Sequence, residues 1–156
     1  MRATTELQGT PTSEHRERLR VAWVDTDAGG RIHFTAVFRY AELAETALRR
    51  RLRLLGDWAD YPRRRVEAEY LAVLRFDDEV ELRLWPDRVG RTSITWAWEI
   101  TRGEETCVRG RHTVVHVDAD GHASELPEDV RAALDPSIGP AGPSQRGGAD
   151  SDDVPS

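Results

Sequence analysis

The apolar positions change period along the chain, and each change marks an element. From about Arg18 to Asp25, Leu19, Val21 and Trp23 alternate with Arg18, Arg20, Ala22 and Val24, which predicts a strand. The turn Asp27-Ala28-Gly29-Gly30 ends it. From Thr35 to Leu55 the period becomes helical. Val37, Ala41, Ala44, Leu48, Leu52 and Leu55 are spaced by fours and threes, and Phe38, Tyr40 and Ala47 widen the stripe. Arg39, Glu42, Glu45, Arg49, Arg50 and Arg53 cover the other side, with Glu45 and Arg49 in the order that favours an ion pair. Thr35 can cap the start and Gly56 can close the end.

After Pro62 the period drops to two. Val66, Ala68, Tyr70 and Ala72 share one face of a candidate strand, and Glu67, Glu69, Leu71 and Val73 share the other. The segment Phe76-Asp77-Asp78-Glu79 breaks it. Val80, Leu82 and Leu84 begin the next strand, and Ile94, Trp96, Trp98 and Ile100 mark another. Thr106 to Asp118 makes the last, and a short helix follows Pro127 through Ala133. One strand, a long helix and four short-linked strands predict an α+β domain with a mostly antiparallel five-stranded sheet. The helix must bury its stripe, so the sheet is expected to wrap around it. The open face and edge of that sheet invite a second copy.

The expected boundaries are a flexible arm over residues 1–16, the domain over 17–135, and a disordered tail over 136–156. The tail is Gly, Pro, Ser and Asp with almost no apolar content. A length of 156 residues suits one core. A formal net charge of -6 argues against a general nucleic-acid binder. The single cysteine, Cys107, rules out an internal disulfide. No apolar run is long enough to span a membrane, and no signal-peptide core is visible, so the expected location is the cytoplasm. All 22 basic residues are arginines, a bias that composition alone does not interpret.

Candidate chemistry gathers at Val24 to Thr35, where Asp25 and Asp27 stand just ahead of a glycine pair and a helix start. The plain reading is a strand end, a turn and a cap, and Asp25 fits it by ending the strand. The sharper reading is a catalytic carboxylate beside unpaired helix N–H groups. His112 and His116, four apart on a strand, would lie about 13 Å apart, too far to share an ion. No other His or Cys spacing suggests a metal. Trp96 and Trp98 read as core, and Cys107 as a buried bystander.

The segment Asp25-Thr26-Asp27-Ala28-Gly29-Gly30, followed by Phe38-Arg39-Tyr40-Ala41-Glu42, resembles the hotdog-fold acyl-CoA thioesterases, in particular the 4-hydroxybenzoyl-CoA thioesterase group. The likeness continues through Asp77-Asp78-Glu79-Val80, Gly90-Arg91-Thr92-Ser93 and Asp120-Gly121 with Leu126-Pro127. It covers roughly residues 17–135 and implies the hotdog fold. It also implies a catalytic Asp directly before Ala-Gly, here Asp27, as nucleophile or general base. The backbone N–H of Phe34 would hold the thioester oxygen. Relatives often carry Tyr-His where this chain has His33-Phe34, so His33 either donates beside the oxyanion or lines the pocket. Glu42 on the helix is a candidate assisting carboxylate. Gly29 and Gly30 would let a ligand or partner backbone approach, and Arg91 and Arg109 are candidates for coenzyme A phosphates. The implied substrate is an acyl-CoA or an acyl-carrier-protein thioester, with water and no cofactor. The implied state is a homodimer or homotetramer. Two rivals share the fold: a non-catalytic acyl-CoA binder, and a dehydratase, whose usual helix histidine is absent here.

Overall fold

The computed structural model describes residues 13–56 and 58–135. In chain order these form β1 (His15–Arg20), α1 (Ala36–Arg51), β2 (Arg63–Tyr70), β3 (Glu79–Val89), β4 (Ser93–Arg102), β5 (Glu105–Val115) and α2 (Glu128–Leu134). The strands make one five-stranded sheet in the order β1-β3-β4-β5-β2, every neighbouring pair antiparallel. This is the expected sheet, and its order places β1 and β2 on opposite edges. β1 starts at His15, inside the segment expected to be an arm. Residues 1–12 of that arm and the tail over 136–156 lie outside the described residues.

The alternation of the sequence decides which face is dry. Val80, Leu82 and Leu84 of β3 bury their side chains, as do Ile94, Trp96, Trp98 and Ile100 of β4 and Val108 and Val114 of β5. Against them α1 sets Val37, Tyr40, Ala41, Ala44 and Leu48. Phe38 meets the edge of Trp98, ring centres 6.0 Å apart. Gly110 of β5 lies against the Trp98 ring so closely that a Cβ would come 2.1 Å from Cζ2, so the large indole dictates the absent side chain. Cys107 is buried as expected, and burial pushes its thiol up, away from the reactive thiolate.

Three local expectations are corrected. The first strand does not run to Asp25. β1 ends at Arg20, and Trp23–Asp25 coil into a 3-10 turn that redirects the chain. The helix ends at Arg51 rather than Leu55, and Gly56 does not close it. Arg53 takes the left-handed position, φ 60°. The N–H of Leu54 then reaches the Arg49 carbonyl at 2.8 Å and that of Arg53 the Arg50 carbonyl at 3.1 Å. Thr35 stands at the N-cap position, but its side chain makes no capping hydrogen bond. The third correction concerns the helix flank. Glu45 and Arg49, assigned to the charged side, are fully buried.

The sheet meets the Glu45 end of that buried pair, whereas Glu45 Oε1 and the three Arg49 side-chain nitrogens have no hydrogen-bond partner among the described residues. Glu45 Oε2 lies 2.7 Å from His112 Nε2 on β5 and 2.9 Å from Arg63 Nη2 on β2. Its Oε1 is 3.5 Å from Arg49 Nε. The Arg49 guanidinium stacks over the rings of Trp58 and Tyr61, at 4.8 and 4.2 Å. Burial opposes the charge of Glu45, but His112, Arg63 and Arg49 outweigh it and hold the carboxyl below the usual glutamate range.

Candidate active site

The strap from Asp25 to Phe34 is stitched in place by its own backbone. Asp27 N–H donates to the Arg31 carbonyl at 2.7 Å, and Gly30 N–H to the Asp27 carbonyl at 3.0 Å. Gly30 takes the left-handed conformation, φ 72°, which a side chain would resist. His33 N–H then donates to the Asp25 carbonyl at 2.7 Å, folding the strap back onto its beginning, and Ile32 N–H to the Leu74 carbonyl at 2.8 Å. The result brings Asp27 and the residues just before α1 into one short looped segment.

Asp27 is exposed. Its Oδ1 accepts from the N–H of Gly29 at 2.8 Å and of Arg31 at 3.3 Å. Its Oδ2 has no hydrogen bond among the described residues. One oxygen of this side chain therefore holds the turn, and the other is left open to solvent. A Cβ on Gly29 would press 3.2 Å from Oδ1, so this glycine gives the carboxylate its space.

At the helix door, Ala36 N–H donates to the His33 carbonyl at 2.9 Å, whereas the Phe34 N–H has no acceptor among the described residues. The first turn of α1 carries no acidic side chain, which leaves its positive end unopposed. Tyr70 on β2 donates its hydroxyl to the Phe34 carbonyl and fixes this peptide from the other side. Partial burial pushes the Tyr70 phenol up, so it stays a donor. His33 Nδ1 accepts the Thr35 N–H at 3.2 Å and lies 2.7 Å from Thr35 Oγ1. The tautomer that fits carries its proton on Nε2, which presents a second N–H beside Phe34. The two rings stack, centres 4.7 Å apart.

Asp25 is buried, unlike Asp27. Its Oδ2 accepts the Tyr40 hydroxyl at 2.7 Å, and its Oδ1 takes Arg39 Nη2. It therefore bolts the strap to the second turn of α1, a structural role richer than ending a strand. Burial, and behind it the Asp25 charge, pushes the Tyr40 phenol up. Tyr40 and Tyr70 were not singled out from the sequence as site residues. The available signal was their chemistry, since a tyrosine on a packing stripe has to find a partner for its hydroxyl.

The other candidates lie apart from this strap by their contacts. Glu42 is exposed on α1 and forms no ion pair among the described residues. Arg91 pairs with Glu125 at 3.2 Å, and Arg109 faces Glu99 at 3.9 Å. Arg109 lines a groove of about 510 Å³ on the outer sheet face with Glu67, Trp85, Asp87 and Arg111. Neither this groove nor two others of about 460 and 200 Å³ is lined by Asp27, His33 or Phe34. Asp118, Asp120 and His122 bring ligand atoms within 4.8 Å of one another on an exposed turn. Asp118 Oδ1 already accepts the N–H of Asp120 and His122, at 2.9 and 3.0 Å.

A long helix on one face of an antiparallel sheet in this order is the hotdog fold. The family model of the Thioesterase superfamily matches residues 29–109, and the chain belongs to that family. Similar solved structures bear the fold out. A thioesterase from Thermus thermophilus, complexed with coenzyme A and Zn, is 25% identical, covers 80% of this chain and 93% of its own, and superposes with a TM-score of 0.71. A 1,4-dihydroxy-2-naphthoyl-CoA thioesterase from Synechocystis is 16% identical over 78% of this chain and 95% of its own, TM-score 0.71. A predicted thioesterase from Bacillus stearothermophilus is 22% identical over 78% and 94%, TM-score 0.71. No curated protein sequence matches. Asp27 lies two residues ahead of the family match. Among the described residues, no helix is long and apolar enough to cross a membrane.

Proposed function

We propose that this thioesterase-superfamily domain hydrolyses an acyl thioester of coenzyme A, or of the same pantetheine arm on a carrier protein, to free acid and thiol. Asp27 and the Phe34 N–H carry the chemistry. The observation behind this reading is the pairing, on one strap, of a carboxylate with a free oxygen and a backbone N–H with no acceptor. Oδ2 either adds to the carbonyl carbon, expelling the thiolate before water cleaves the anhydride, or takes a proton from the water that adds. In both routes negative charge gathers on the carbonyl oxygen, where the Phe34 N–H and the positive end of α1 meet it. In this reading His33 Nε2–H donates beside it. Water is the second substrate, and the route needs no metal or cofactor.

The active unit is a homodimer. Phe34, Tyr70, Leu71 and Val73 are all exposed apolar surface beside the strap, and β2 is an edge strand. Such a patch beside an open carboxylate is what a second copy would cover, closing the acyl pocket. The outer-face groove is lined by four carboxylates, Glu67, Glu69, Asp87 and Glu99, beside Arg109 and Arg111, and this mixed charge suits a further pairing into a tetramer.

The test is thiol release from a panel of acyl-CoA thioesters with wild type and Asp27→Asn. Asn keeps an oxygen for the turn, so the fold should hold while kcat falls at least about a hundredfold. Undiminished release in the variant would remove Asp27 from the chemistry. Tight acyl-CoA binding without turnover by either protein would make this a binding protein instead.

A further inference from the structure

Arg31 and Arg75 face each other directly in an isolated antiparallel bridge at the edge of the site strap. Directly opposed residues point to the same side, where like charges repel. Both are exposed, and neither guanidinium has a carboxylate within ion-pair distance among the described residues. Other arginines such as Arg50, Arg53, Arg64 and Arg88 also lack an ion pair among the described residues, but Arg31 and Arg75 are set directly opposite each other with no carboxylate between them. Elsewhere Arg16, Arg83, Arg102 and Arg111 each find a carboxylate within 3.1 Å. Asp78, which takes the Arg75 backbone N–H at 2.9 Å, spends the same oxygen on Arg102 Nη1 at 2.8 Å. The two arginines are also held firmly. The Arg31 carbonyl accepts the Asp27 N–H and the Arg31 N–H donates to Asp27 Oδ1, and Arg75 is anchored by its own N–H to Asp78 Oδ2.

We infer that Arg31 and Arg75 form a fork for the phosphate at the far end of the substrate's pantetheine arm, an inference that rests on the thioesterase reading above. Guanidinium forks bind phosphate oxygens in pairs, and an anion between them turns their mutual repulsion into shared attraction. Their place beside Asp27 suits a substrate whose thioester enters the strap while its phosphate stays at the surface. Arg91 and Arg109, the arginines the sequence suggested, already face carboxylates of their own.

The experiment uses three thioesters of one acyl group: on coenzyme A, on 4′-phosphopantetheine, and on N-acetylcysteamine, which has no phosphate. In Arg31→Ala/Arg75→Ala, kcat/KM for the coenzyme A ester relative to the phosphate-free ester falls at least about tenfold. That ratio, taken on one preparation, does not depend on how much protein is folded. A fall shared by the phosphopantetheine ester assigns the fork to the phosphate common to coenzyme A and carrier proteins. A fall confined to the coenzyme A ester assigns it to the nucleotide phosphates. A ratio within about twofold of wild type overturns the proposal. Wild type that cleaves none of the esters would defeat the thioesterase reading, and calorimetry with coenzyme A then decides the fork. A Kd raised about tenfold in the variant supports it, and an unchanged Kd overturns it.

Discussion

Asp25 and Asp27 stand two apart in the sequence and do opposite work. Asp27 keeps an oxygen in solvent, whereas Asp25 is buried against Tyr40 and Arg39. Through its carbonyl, Asp25 also receives the His33 N–H, so one residue ties α1, the turn and the helix door together. Removing the Tyr40 hydroxyl should therefore loosen the strap without touching the reacting groups. We expect Tyr40→Phe to lower stability by about 1–2 kcal/mol, because a buried carboxylate loses a donor. Its kcat should fall several-fold with KM nearly unchanged, read by thermal melts beside thiol-release kinetics. A variant with wild-type kcat would leave Asp25 a purely structural anchor. The sequence showed both carboxylates and the turn chemistry that frames them. It did not show which would be buried, because that depends on the 3-10 turn that replaces the end of the first strand. Alternation continued through Trp23 and hid the bend.

At the scale of elements, periodicity located every strand and both helices; β3, β4, β5 and the helices set one face in a common core, whereas the edge strands β1 and β2 only lean on it through Leu19 and Ala68. It failed where burial and polarity part company. Glu45 and Arg49 obey the helical period for the charged flank, yet β5 and β2 bring His112 and Arg63 to meet them. A pattern along one element cannot show what another element supplies. The cluster has a pH signature. Glu45 titrates lower in the fold than its ordinary value near 4.5. Its contribution to stability is therefore complete above that value and lost as pH falls through the lower, folded-state value. Glu45→Gln should cost about 3 kcal/mol at neutral pH, since it leaves buried positive charge uncompensated. It should also flatten the acid limb of the stability curve. Denaturant unfolding from pH 7 down to pH 3 checks both (about four pH units of titration). Parallel acid limbs for variant and wild type would mean that Glu45 is not the group that senses acid.

For the whole molecule, the question is what completes a site that one chain leaves open. Phe34 is 64% exposed and Trp23 75%, and Trp23 meets Phe76 edge-on, 5.5 Å between ring centres. Together with Tyr70, Leu71 and Val73 these residues run from the strap to the β2 edge, more apolar surface than a lone chain would keep wet. An isologous pair would bury both copies of this patch at once and place each strap against its partner. The expected particle in solution therefore has at least twice the 17.6 kDa mass of the chain. Leu71→Asp/Val73→Asp puts like charges into that contact and should yield monomers by light scattering. Its far-ultraviolet spectrum should stay that of the native sheet, because both side chains are already half exposed. Thiol release should collapse in the same variant and return in part as protein concentration drives association. A fully active wild-type monomer would show instead that the strap closes its own pocket, and the apolar patch would then be the acyl group's own binding surface.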